Sequence, residues 1–129
     1  MPYLVHADEQ HELVEVIYSG PITTSTRICA MEDGATLLEA RQYARVLVDL
    51  TAATAAPEPQ EPGNALLAAR MAQRPRVRDS RLAYVTGPEP HASLLLAHAL
   101  VGSVAATRHA HLRHFQSRDA ALHWLLTGS

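Results

Sequence analysis

The feature that most constrains this chain is the run Arg45-Val46-Leu47-Val48-Asp49-Leu50, the heart of a stretch over 43–50 that is apolar at nearly every position. A strand with one face in water alternates apolar with polar side chains. A near-continuous aliphatic run instead demands cover on both faces, so this segment reads as a central strand with helices above and below. It ends in an acid, Asp49, and breaks into a Thr/Ala/Pro segment over 51–63. There Pro57, Pro59 and Pro62 rule out continuous helix or strand, and the segment reads as the longest loop.

With 129 residues, the chain is expected to be one domain, residues 1–129, large enough to bury roughly two thirds of its unfolded surface. Aromatic residues make up only 5%, so Ala and Leu must fill the core and helices must pack closely on the sheet. The net charge of −2 supplies no global field for nucleic acid or membrane. All eleven basic residues are arginine. A coding bias toward arginine and alanine explains this more cheaply than phosphate or carboxylate recognition, so it carries no functional weight. The single cysteine, Cys29, excludes an intramolecular disulfide framework; beside Ile28 it reads as a small buried hydrophobe. The N-terminus lacks the basic start and apolar core of a signal peptide, and no apolar run approaches the roughly 20 residues that span a bilayer. A cytoplasmic location is expected.

The remaining elements follow in order. Residues 3–6 and 13–19 flank a polar stretch and read as a hairpin, closed by Gly20-Pro21. Thr23 or Thr24 caps a helix to about Glu39 or Ala40, with Ile28, Met31, Ala35 and Leu38 on its apolar face and Gly34 as a weak point. Asn64 caps a second helix that Pro75 ends. Residues 81–86 form a strand buried on both faces. Residues 91–108 form the longest helix, whose Leu94, Leu95, Leu96, Leu100, Val101 and Val104 wrap most of its girth, as in a deeply packed or oligomer-forming helix. His111 to Phe115 is a last strand, and Ser117 caps a final helix with Asp119 in its first turn. The order is ββαβαβαβα, an α/β fold with a mostly parallel mixed sheet and an antiparallel first strand.

That order, together with Tyr18-Ser19-Gly20-Pro21-Ile22-Thr23, Arg45 to Leu50, Arg81-Leu82-Ala83-Tyr84-Val85-Thr86-Gly87, Leu112-Arg113-His114-Phe115 and Ala120-Ala121-Leu122-His123-Trp124-Leu125, resembles the STAS domain. More narrowly it is similar to the SpoIIAA-like (STAS/SEC14-type) family of small bacterial proteins. The resemblance implies a regulatory or binding module. Family members that regulate sigma factors carry a phosphorylatable Asp-Ser-Ser-Gly site after the central strand. This chain has Pro57-Glu58-Pro59-Gln60-Glu61-Pro62-Gly63-Asn64 there, without a serine, which argues against that switch.

In an open parallel sheet, ligands settle at the carboxyl ends of the strands. Asp49, Thr51 and Thr54 leave the central strand there, and Gly87, His91 and Ser93 leave the fourth, so these six are the candidate ligand-binding residues. Asp49 has a simpler reading as a cap on the following backbone. An Asp and a His without a third orienting group are not a triad, so no catalytic residue is named. His109 and His111 point the same way in extended structure, but with no carboxylate or cysteine nearby they do not make a metal site. Arg70, Arg74, Arg76, Arg78 and Arg81 form a dense basic run without aromatics to stack bases, and read as a solvated linker. The expectation is a non-enzymatic binding module with no cofactor. Its partner is another protein, met through the 91–108 helix, or a small ligand at the carboxyl rim, and homo-oligomers are compatible with that helix. The alternatives are a carrier of an apolar ligand such as a lipid, as the SEC14-type resemblance implies, and a small His-dependent metal enzyme.

Overall fold

The structure, a computed structural model, describes residues 2–55, 66, 69–70, 73–87 and 111–128. Five strands form one mixed sheet in the order β1-β2-β3-β4-β5, comprising β1 (Tyr3–Asp8), β2 (Leu13–Ile22), β3 (Arg45–Ala55), β4 (Arg81–Val85) and β5 (His111–Phe115). β1 is antiparallel to β2, and every later pair is parallel. Among the described residues three helices have defined bounds, α1 (Thr24–Arg41), the single turn α2 (Pro75–Arg78) and α3 (Arg118–Thr127). The 91–108 helix expected from the sequence lies outside the described residues, as do His91, Ser93 and His109.

β3 and β4 behave as their composition requires. Val46, Leu47, Val48 and Leu50 are buried, and so are Leu82, Ala83, Tyr84 and Val85. Alternate residues serve two separate cores. Val14, Val16, Val46, Val48, Leu82 and Tyr84 pack with α1 and with Val77 of α2. Leu13, Leu47, Ala83 and Val85 pack with Ala121, Trp124 and Leu125 of α3. The two sets differ by one residue along each strand, as the pleat demands.

Thr23 caps α1 by accepting a hydrogen bond from the Thr26 amide, and Gln42 closes the helix in a left-handed conformation. The buried stripe of α1 is Arg27, Ala30, Gly34, Ala35 and Leu38, rotated from the expected one, with Ile28 and Met31 only half-buried. Gly34 is the point of closest approach. A Cβ there would stand 3.2 Å from Val16 Cγ2, so the residue that weakens the helix also lets it settle on β2. The rotation carries Cys29 to the surface, so it is exposed, not the buried hydrophobe that its neighbour Ile28 suggested.

Two expected boundaries move. β2 does not stop at Gly20-Pro21 but continues to Ile22, with Pro21 opposite Thr54 of β3. Beyond Ser19, whose amide bonds the Pro2 carbonyl, β2 pairs only with β3 among the described residues. A proline is tolerated at such an edge because its missing N–H costs no ladder bond. β3 likewise extends to Ala55, so residues 51–55 are strand, not the start of the loop. Upstream, residues 66, 69 and 70 are helical, and the helix is over before Pro75, with 73 in a turn and Arg74 extended; Pro75 then begins α2, since proline suits the first helical position.

Candidate functional site at the carboxyl edge of the sheet

Asp49 pairs with Ile17 on one side and Val85 on the other, the last rung that β3 shares with β4. The next rung with β2 joins Ser19 to Ala52, so Leu50 and Thr51 together oppose Tyr18 alone. This bulge frees the Thr51 amide from the ladder. Asp49 takes it up, its Oδ1 accepting from Thr51 N at 2.9 Å and from Thr51 Oγ1 at 2.6 Å. The carboxylate therefore shapes the bulge, which is the simpler of its two sequence readings. Past it, β2 and β3 run on as a two-stranded arm above the end of β4, with Thr51 and Thr54 exposed and Ala53 and Ile22 buried. Gly87 follows Thr86 at the end of β4 on the same edge, with open space around its Cα. The structure thus places Asp49, Thr51, Thr54 and Gly87 on one rim.

Two further groups reach this rim without a clear sequence signal. On the α3 side, Glu15 of β2 is only 3% exposed. It accepts from Arg118 Nε at 3.2 Å and Nη2 at 3.0 Å, and its Oε1 lies 2.9 Å from His6 Nε2. The Glu15 hydrogen bond holds the Arg118 guanidinium pKa above its usual range, with Asp49 and Asp8 adding attraction. Ser117 caps α3 by accepting from the Ala120 amide, which brings the first turn of the helix to this edge. The alternation Leu13, Glu15, Ile17 puts Glu15 among apolar neighbours; its partner 103 residues away was invisible in the sequence.

On the α1 side, Arg27 is 4% exposed near Tyr18 and Tyr84. Burial pulls its guanidinium pKa down, while the two phenols oppose that shift; burial pushes the Tyr18 hydroxyl far up. Thr86 Oγ1 and His114 Nε2 meet at 2.5 Å on the neighbouring strands. Arg27 had no signal in the sequence: it lies four residues after the Thr23 cap, and only the packing of α1 on the sheet buries it.

Arg74, Arg76 and Arg81 of the basic run are not solvated, whereas Arg70 is exposed. Arg74 donates to the Glu32 carbonyl at 3.3 Å and stands 3.6 Å from the Glu32 carboxylate, and Arg76 donates to the Tyr43 carbonyl at 3.1 Å. Arg81 and Arg45 both reach the Leu125 carbonyl, at 3.5 and 3.0 Å, placing two cations at the negative end of α3. These residues staple helices to the amino edge of the sheet. A cleft of about 650 Å³ opens there, lined by Glu12, Tyr43, Arg45, Asp79 and Arg81.

Among the described residues no three His, Cys, Asp or Glu side chains converge on a point fit for a metal. No helix among them is long and apolar enough to cross a membrane. The enclosed apolar space under α1, between Val16, Met31, Leu38, Val77 and Leu82, is about 10 Å³, room for one water at most. Comparison with family models and with curated proteins gives no match.

Proposed function

We propose that this chain is a STAS-like binding module whose carboxyl rim, from Asp49 through Thr51 and Thr54 to Gly87, is the recognition edge for a partner protein or a small polar ligand. The observation that carries this reading is the β2–β3 arm. It raises two exposed threonines above the sheet, where helix starts and strand ends converge, while the Asp49 carboxylate is spent on holding the bulge. Hydroxyls and exposed backbone recognise without reacting. The other ionisable groups at the edge fit the same reading. Glu15 is committed to Arg118 and His6, and His114 to Thr86.

Native mass spectrometry of the chain purified from its own cells tests the proposal. The wild type is expected to carry bound mass beyond that of the chain and its homo-oligomers, and Thr54→Arg is expected to lose it while keeping the fold. A wild type that carries no such mass, or a Thr54→Arg variant that keeps it, overturns the assignment of the rim.

A further inference from the structure

We propose that the cleft at the amino edge of the sheet binds a small zwitterion, an α-amino acid with an apolar side chain. Arg45 and Arg81 would hold its carboxylate, and Glu12 or Asp79 its ammonium. The cleft measures about 650 Å³, and these four side chains line it together with Tyr43 and Leu126. Sites for small molecules are commonly of that size.

The cationic pole follows from strand register. Arg45 and Arg81 stand directly opposite each other on the parallel strands β3 and β4. Two like charges so placed repel. Elsewhere the chain neutralises its arginines, since Arg41, Arg74 and Arg118 each pair with a carboxylate. Arg45 bonds only the Leu125 and His11 carbonyls, and Arg81 only that of Leu125. The carboxyl end of α3 sets about half a negative charge against these two positive ones. Arg45 uses its Nε and Nη1 in these bonds and Arg81 its Nη1, so the rest of each guanidinium fork is left to donate. Such forks match the two oxygens of a carboxylate.

The anionic pole lies on the same cleft. Glu12 and Asp79 are exposed, and neither carboxylate closes on Arg45 or Arg81, which the backbone carbonyls hold in place. A ligand that carries both charges answers both sets. A lone anion gains the arginines but meets the carboxylates, and a phosphate, with nearly two negative charges, meets them more strongly. The apolar wall selects the side chain. Leu126 is 38% exposed, and Tyr43 is half-buried against the core below, so a hydrophobic group laid on them leaves water. The two described non-glycine residues with left-handed backbone, Glu12 at φ 53 and Gln42 at φ 58, both line this cleft. Conformations of that kind are uncommon outside glycine and gather at ligand sites. The cleft lies at the opposite end of the strands from the rim, and the two assignments are independent.

Amide NMR titration of the full chain tests the proposal. L-Phenylalanine and L-leucine are expected to shift the amides of the cleft with a Kd of about 1 mM or tighter. Hydrocinnamate, which lacks the ammonium, and phenethylamine, which lacks the carboxylate, should each bind about tenfold more weakly. The Glu12→Gln, Asp79→Asn double variant, changed only at exposed positions, should bind phenylalanine about tenfold more weakly and hydrocinnamate more tightly than the wild type does. Thr54→Arg, at the rim, should bind phenylalanine as the wild type does. No shift with either amino acid up to about 10 mM overturns the proposal. So does hydrocinnamate, phenethylamine or inorganic phosphate that binds as tightly as phenylalanine, a double variant whose preference is unchanged, or phenylalanine binding that Thr54→Arg abolishes.

Discussion

Glu15 is the residue on which most of the edge's electrostatics turn. A carboxylate this buried survives because Arg118 supplies two hydrogen bonds and His6 a third contact. Removing the arginine leaves the charge in place with its main partner gone. Arg118→Ala is therefore expected to cost about 2 kcal/mol in urea unfolding, and Glu15→Gln in the same background should return part of that loss. A second test concerns acid. The His11 side chain and backbone amide both bond Asp8, at 2.8 and 3.2 Å, and hold its carboxyl pKa below the ordinary 3.8. A carboxylate with a lowered folded-state pKa contributes stability that is complete above its unfolded value and is lost as the pH falls through the folded one. Stability measured from pH 5 downward should decline below 3.8 in the wild type, and Asp8→Asn should flatten that limb.

At the scale of elements, α3 and α1 make different demands on the sheet. α3 covers β3, β4 and β5 with Ala121, Trp124 and Leu125, and the Trp124 ring lies 5.8 Å from that of Phe115. Trp124→Ala should cost about 4 kcal/mol, the usual toll of truncating a buried aromatic, and Ser117→Ala about 1 kcal/mol through the lost cap. α1 sits so close to β2 that Gly34→Val should cost about 3 kcal/mol, since the added methyls meet Val16, itself buried. The elements that could be read in the sequence were those whose composition answers to a single force. Val46 to Val48 of β3 and Leu82 to Val85 of β4 are apolar at every step because both faces are covered, and the caps Thr23 and Ser117 are short-range chemistry. The elements misjudged were those settled by a distant partner. Gly20-Pro21 looked like a stop and Thr51 to Ala55 like a loop, because only their pairing with each other makes them strands. Arg74, Arg76 and Arg81 looked solvated because the carbonyls and carboxylates that hold them lie more than 30 residues away. Of the rim residues, Asp49, Thr51, Thr54 and Gly87 do fall on one edge; Glu15 and Arg27 joined them only through tertiary contact.

Over the whole molecule, the two edges of the sheet differ in kind. At the amino edge, arginines tie β3, β4 and the end of α3 together, and Gly128 closes that helix at φ +80 with the Arg81 guanidinium where a Cβ would stand, 2.9 Å away. Gly128→Ala should accordingly lower the melting temperature by several degrees, as expected for a strained left-handed cap worth about 1–2 kcal/mol. At the carboxyl edge the β2–β3 arm leaves Thr51 and Thr54 exposed, and the proposed recognition surface lies there. Hydrogen–deuterium exchange of the chain with and without the species it binds in its own cells tests that claim most directly. The account predicts slowed exchange at the amides of residues 51–55, with those of 111–115 unchanged. Protection that appears elsewhere and leaves 51–55 untouched would contradict it.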